Sequence, residues 1–350
     1  MKKQLMACAV ILATTCGIHA QNDTNSCQIE SHDLLRLGVD VRVDYQHLWQ
    51  DHHTSDPNTG FEGKYFMFRA DGEILPGLTY SWRQRLNKNH DDSSFFDATD
   101  WMYINYSTGR FEIAGGKQVA CIGGWEYDRH PADLYSTSLF WQNIPCFQLG
   151  ASVGYHVTKS DLLTAQVTQS LFHTSANRNM YTYNLMWTGS HGPFSTLWSA
   201  NMIEYLPGRY ISYLSLGNRL ELGKVTVELD LMNRAASGQT FLFKDCSVMG
   251  EAAWCPDTRW RLHGKVTYDV NRAGNNADYT VLPGTELTMA GGGVEFYPFI
   301  KKRGAVRLHA NCYYSWGRNA NSADLMQHNS VMLSAGVRCH IDLLSFKHNR

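Results

Sequence analysis

The sequence has almost no charge imbalance: 31 basic against 32 acidic residues in 350, a formal net charge of −1. Without a basic surplus there is no electrostatic footprint for a phosphate backbone, which excludes nucleic acid as a partner. Proline is sparse, with 9 residues beside 29 glycines, so the chain is neither collagen-like nor a proline-rich polymer. The 9 cysteines contain no Cys-x-x-Cys pair, which removes the usual zinc and thioredoxin-type spacings. Beyond the N-terminal region no apolar run approaches the roughly 18–20 residues that a spanning helix needs. What is plentiful is aromatic: 18 Tyr, 15 Phe and 10 Trp, incompatible with low-complexity disorder.

The N-terminus reads as an export signal. Lys2 and Lys3 precede an apolar run from Leu5 to Ala13, and small and polar residues lead to Ala20-Gln21. The run is too short to span a membrane and is expected to be cleaved after Ala20. The expected organisation is a signal peptide over 1–20, a short periplasmic segment over 21–32 and one barrel domain over 33–346. Any membrane crossing by the exported chain must then be made by strands.

Period-2 alternation dominates the rest. Leu35, Leu37, Val39, Val41, Val43 and Tyr45 share one face, while Arg36, Gly38, Asp40, Arg42, Asp44 and Gln46 share the other. The pattern returns to the end of the chain, as in Val306 to Tyr314 and Val331 to Leu343, and counting the segments gives about sixteen strands. The tenth, around Leu214 and Leu216, is the weakest. Connections alternate between tight turns (Leu75-Pro76-Gly77, His191-Gly192-Pro193) and long loops, with Leu206-Pro207-Gly208-Arg209 as the exception. Aromatics gather near strand ends. Together these features predict an all-β fold, a transmembrane antiparallel barrel with apolar residues toward lipid and polar ones toward the lumen. A secreted soluble β protein would have to bury those charges in a packed core or expose large aromatics to water.

The third long loop, Val119–Pro145, is the longest and carries Gly123-Gly124-Trp125-Glu126-Tyr127-Asp128-Arg129-His130-Pro131-Ala132-Asp133-Leu134-Tyr135. A connection this long is rarely solvent filler. Folded inward, it would narrow the lumen with Glu126, Asp128, Arg129, His130 and Asp133; the other reading is a surface lid or subunit contact. Cys121 and Cys146 flank it, and a disulfide between them would staple its base. Basic lumen candidates are Arg36, Arg42, Arg69, Arg83, Arg85, Arg261, Lys265, Arg307 and Arg338, on strands that become neighbours when the barrel closes. Acidic candidates are Glu112, Glu228, Asp230, Asp245, Glu251 and Asp269, mostly elsewhere. Two readings stand: opposed charged walls that select ions, or pairs that satisfy a polar interior. His263, His309 and His340 fall on neighbouring strands, but no metal site, cofactor or catalytic residue is expected, because no spacing singles out a nucleophile and a base.

Four stretches together resemble a known family: Trp82-Arg83-Gln84-Arg85-Leu86, Asp97-Ala98-Thr99-Asp100-Trp101, Gly115-Gly116-Lys117-Gln118 and the loop from Gly124 to Tyr135. They are similar to the phosphate-selective porin O and P family, in its Bacteroidetes-type branch. The resemblance implies a sixteen-stranded barrel in outer-membrane lipid, usually a homotrimer, passing small hydrophilic and phosphate-like anions by diffusion. Anion-selective members line the pore with a ladder of arginines and lysines, whereas here the third loop is acid-rich, with Arg129 its fixed cation. The competing reading is a non-conducting barrel, plugged in the lumen, whose loops bind a partner or host surface.

Overall fold

The computed structural model describes residues 33–88, 95–274, 276–321 and 327–347. The expected signal peptide (1–20) and the 21–32 segment lie outside them. Sixteen antiparallel strands form one sheet: β1 (Asp33–Gln50), β2 (Gly60–Leu75), β3 (Leu78–Arg85), β4 (Thr99–Thr108), β5 (Phe111–Val119), β6 (Phe147–His156), β7 (Asp161–Gln169) and β8 (Tyr181–His191). They continue through β9 (Phe194–Leu206), β10 (Arg209–Leu222), β11 (Val225–Ala236), β12 (Asp245–Trp254), β13 (Trp260–Asn271), β14 (Glu286–Phe296), β15 (Val306–Arg318) and β16 (Ser330–Lys347). A two-residue piece, His53–Thr54, folds back on the end of β1. The sheet closes on itself because β1 pairs with both β2 and β16, the latter from Gln50 opposite Ser330 down to Asp33 opposite Lys347. Closure leaves no row of unpaired backbone groups, the condition for strands in hydrocarbon.

The soluble rule is inverted as the alternation predicts. On β1 the inward Asp40, Arg42, Asp44 and Gln46 are buried while the outward Val43 and Tyr45 are exposed. The same holds round the barrel: Val227 and Leu229 face out and Glu228 and Asp230 face in. Trp254 and Trp260 at one end, and Tyr314 and Trp316 at the other, form exposed aromatic borders. Short turns join strands at the first end and most long loops lie at the second, which in such barrels are the periplasmic and outer ends respectively. The exception at Leu206–Arg209 is a tight turn at the long-loop end.

The weak tenth segment is in fact a 14-residue strand, β10. Its period is blurred for a physical reason. Ser212 and Asn218 dilute the outward face, while Ile211 and Tyr213 point inward into a dry cluster. Inward apolar residues of β9 to β15 (Ile203, Ile211, Tyr213, Met232, Leu287, Met289 and Tyr313) pack there against Leu139, Phe140 and Ile144 of the third loop and Ala277 and Val281 of the loop after β13. One sector of the lumen is therefore an apolar core.

A loop docked on a wall of like-charge pairs

The third loop folds into the barrel and touches its wall nearly all the way round. Its first limb, 120–124, lies on a strip of neutral amides. Gln166 on β7 accepts from Cys121 N through Oε1 (2.7 Å), Asn201 on β9 donates to Cys121 O (2.8 Å), and Gly123 N donates to Ser199 Oγ (2.8 Å). The limb needs Gly123-Gly124 because it rests on backbone. A Cβ on Gly123 would come within 2.4 Å of Leu197 O, and Gly124 has φ +117°. The wall reciprocates at Gly217 on β10, where a Cβ would meet Gly124 Cα at 2.7 Å. Gly217→Ala is accordingly expected to lift the loop and raise single-channel conductance while leaving the reversal potential unchanged, since no charge is altered; bilayer recording checks both.

A short helix, α1 (Trp125–Asp128), follows. The Asp230 carboxylate on β11 accepts from its first two amides, Trp125 N at 2.9 Å and Glu126 N at 2.8 Å. An anion at these unsatisfied N–H groups is favourable. The loop's second helix, α2 (Leu139–Asn143), is held likewise by Asp269 on β13 accepting from Leu139 N at 3.0 Å. Glu126 links the two helices by accepting from Ser138 N (3.0 Å), and Lys265 on β13 donates to the same Oε1 at 2.5 Å.

The charged wall is decided by register. Glu228 on β11 sits directly opposite Glu251 on β12, and Arg307 on β15 directly opposite Arg338 on β16. Like charges directly opposite on neighbouring strands are destabilising. The loop supplies the missing counter-charge at both places. Arg129 bridges Glu228 and Glu251 (2.6 Å to the latter), and Asp133 bridges Arg307 (2.6 Å) and Arg338 (2.9 Å). Burial alone would raise the Asp133 carboxyl, but these two guanidiniums outweigh it and hold it below the ordinary carboxylate range. Burial and the nearby Arg338 lower His130 to about 3, so its Nδ1 is free to accept from Ala132 N. The pairs join into a belt of alternating sign: Arg219–Glu228–Arg129–Glu251–Arg261–Glu295. Such a network is favourable only when every member is partnered.

Above and below the loop lie two cavities that share no lining residue. The one at the long-loop end, about 190 Å³, is lined by Lys64, Tyr65, Tyr135, Trp141 and Ser330 among others. The one at the short-turn end, about 290 Å³, is lined by Glu112, Asp128, His156, Gln166 and neighbours. A barrel whose lumen is divided by an inward loop, with a water-accessible vestibule on each side, has the architecture of a diffusion channel. The family model for phosphate-selective porin O and P matches residues 35–242, well over half of the chain. The chain belongs to that family. No curated protein sequence matches it.

Solved structures share this porin's fold at low identity. The anion-selective porin from Comamonas acidovorans aligns with TM-score 0.64 at 11% identity, covering 88% of this chain and 99% of that chain. The outer membrane channel DcaP of Acinetobacter baumannii gives 0.62 at 10%, covering 88% and 97%. OmpT of Vibrio cholerae gives 0.60 at 10%, covering 90% and 99%. The porin is an outer-membrane channel.

The residues expected from the sequence now separate into three groups. Arg42, Lys265, Arg307 and Arg338 face the lumen but are spent on the loop. Arg42 donates to Leu134 O at 2.5 Å and pairs with Asp44, and Arg307 reaches Ala132 O at 3.0 Å. Arg83 is also spent: its side chain is 1% exposed, paired with Asp100 at 2.8 Å and laid over the Trp101 ring at 3.7 Å. Arg69 (38% exposed), Arg85 (25%) and Arg261 (20%) keep substantial contact with solvent, Arg261 between two glutamates. Of the loop residues, Glu126, Arg129 and Asp133 bind the wall, while Asp128 lines the short-turn vestibule, its carboxyl pushed up to about 7 by burial, with Arg219 opposing and Glu228 adding.

The Cys121–Cys146 disulfide is not formed. Ala120 N still donates to Cys146 O (2.8 Å), but from Cys121 onward the amide strip of β7 and β9 draws the chain away along the wall, and Cys146 keeps its thiol. The three histidines do not converge: His263 meets Tyr313, His309 meets Asp44 and His340 meets Asp40. The sequence reading missed Arg219, Arg234, Glu295 and the amide strip. The signal was present for one part: Glu228 and Glu251 were both placed on the lumen face, but only the register sets them opposite one another.

Proposed function

We propose that this porin is a narrow channel for passive diffusion of small hydrophilic solutes, with a mild preference for anions, phosphate-like ones included. The observation that carries the reading is the exposure of Arg69 and Arg85 on β2 and β3, each beside one carboxylate (Asp71 and Asp100), while the loop holds Arg42, Arg307 and Arg338 and Asp100 and Trp101 hold Arg83. Lys64, partly open to the upper cavity, continues that strip. A charged strip beside a confined path biases which ion enters. Because Asp44 neutralises Arg42 and the loop's Asp133 neutralises Arg307 and Arg338, the path holds few bare cations. Solutes therefore pass hydrated, without a ladder of tight anion sites. The signal peptide delivers the chain for export, and the barrel assembles as a homotrimer in outer-membrane lipid; an OmpT structure described as a trimer form shares the fold. No step of this function is enzymatic.

The test separates the two adjacent arginines. In a planar bilayer with a salt gradient, Arg69→Gln with Arg85→Gln is expected to move the reversal potential toward the cation-selective side. Arg83→Gln is expected to leave it nearly unchanged and instead to cost about 2–3 kcal/mol of stability, because buried Asp100 loses its closest cation. An unchanged reversal potential in the double variant rejects the strip as the selectivity element. The competing reading, a closed barrel that binds a partner, draws on the apolar sector of the lumen. A folded protein that never conducts would establish it.

A further inference from the structure

The short-turn end of the barrel is not uniform. Three successive turns, after β10, β12 and β14, carry Lys224, Arg259, Lys301, Lys302 and Arg303. They are neighbours on the rim: Cys255 N donates to Lys224 O and Tyr297 N to Arg259 O, both at 2.8 Å. Lys224, Arg259, Lys301 and Lys302 are exposed, and Arg303 lies over the Tyr297 ring at 4.2 Å. The acids beside them are Glu221 and Asp257. Asp257 accepts from Arg259 N and Trp260 N, while Glu221 N donates the other way, to Pro193 O on the turn after β8. The four turns after β2, β4, β6 and β8 carry only Arg110 and Lys159 as lysine or arginine.

The basic sector is also apolar in the direction of lipid. Leu222, Trp254 and Trp260 end the strands there with exposed side chains, and Phe299 (57% exposed) and Ile300 (48%) stand on the same turn as Lys301 and Lys302. A soluble turn has no reason to display Phe-Ile to water. A turn lying against a bilayer does, with apolar side chains in the acyl boundary and cations at the phosphates.

We infer that this sector, β10 to β15 at the short-turn rim, binds anionic phospholipid headgroups of the adjoining leaflet. The exposed apolar residues are continuous with the lipid-facing wall, so the occupant is the bilayer itself. A free phosphate in solution would use the cations and leave Phe299 and Ile300 without a role. The inference does not depend on what the channel conducts.

The test uses the full chain in phosphatidylcholine vesicles and reads quenching of Trp254 and Trp260 by lipids brominated on the acyl chain. Brominated phosphatidylglycerol is expected to occupy this site at least about five-fold more readily than brominated phosphatidylcholine, the scale of one well-placed cation at an anionic surface. The preference should shrink in Lys301→Gln with Lys302→Gln, exposed turn positions that do not threaten folding. It should vanish when Lys224, Arg259 and Arg303 are also changed to Gln, and persist in Arg110→Gln with Lys159→Gln. Equal occupancy of the two lipids overturns the proposal, as does a preference that survives all five changes or survives in a Trp254→Phe, Trp260→Phe background. A preference abolished by soluble glycerol phosphate overturns it too, by making the rim a free-anion site.

Discussion

Arg129→Gln is expected to open the channel and to weaken the barrel at the same stroke. The substitution withdraws the counter-charge from Glu228 and Glu251, whose side chains are almost fully buried and directly opposite across β11 and β12. Removing one partner from a buried ion pair costs about 3–5 kcal/mol, because a desolvated charge is left uncompensated. Arg219 still reaches Glu228 and Arg261 still reaches Glu251, so the loss belongs at the lower end of that range. The loop loses its grip on the acidic wall and the lumen widens, which bilayer recording reads as higher and noisier conductance. The decisive comparison is the double variant with Glu228→Gln. If Arg129 is there to separate two carboxylates, removing one carboxylate should recover most of the stability, a coupling that a double-mutant cycle isolates. Additive losses would mean that Arg129 acts by some route other than the like-charge pair. Asp133→Asn, made against Arg307 and Arg338, is the mirror experiment.

The same register explains what the sequence could and could not show. Strand period, face and number were legible because lipid keeps most outward positions apolar, and a period of two survives in one dimension. The inward loop was legible from its length and composition. Which wall residue meets which was not. Arg42, Arg83, Arg85 and Arg338 look alike along the chain: each is an arginine on a lumen-facing position. Their different fates follow from cross-strand neighbours and from where the loop's carbonyls arrive. Leu134 O reaches Arg42, and Trp101 lies under Arg83, whereas Arg85 keeps a longer, 3.6 Å contact with Asp100. The disulfide expectation failed for a related reason. Positions that flank the loop in sequence part in space, because the amides of Gln166 and Asn201, far along the chain, draw one flank aside.

The largest effect on stability is expected at Arg234. Its side chain is 0% exposed, with Nε at 2.9 Å from Asp245 on its own wall and 2.7 Å from Asp278, which belongs to the loop after β13. Around it the packing is dry: Tyr213 donates to Asp278 Oδ1 at 3.3 Å, the guanidinium lies 5.8 Å from the Phe140 ring, and Ala277 and Val281 on either side of Asp278 enter the apolar cluster. Among the described residues Arg234 alone forms an ion pair with these two buried carboxylates, and no second arginine shares the load as Arg219 does for Glu228. Arg234→Gln should therefore cost about 3–5 kcal/mol or more, read as a lower denaturant midpoint for the folded barrel. The damage should be local first. Asp278 can escape to water only by taking its loop out of the lumen, so proteolysis should cut between 272 and 285 well before the strands are lost. Replacing Asp278 by Asn in the same chain removes one of the two stranded charges and should restore part of the midpoint. If the loop stays protected in Arg234→Gln, then Ala277, Val281 and Tyr213 hold it by packing alone, and the buried pair is not what seats the loop in the barrel.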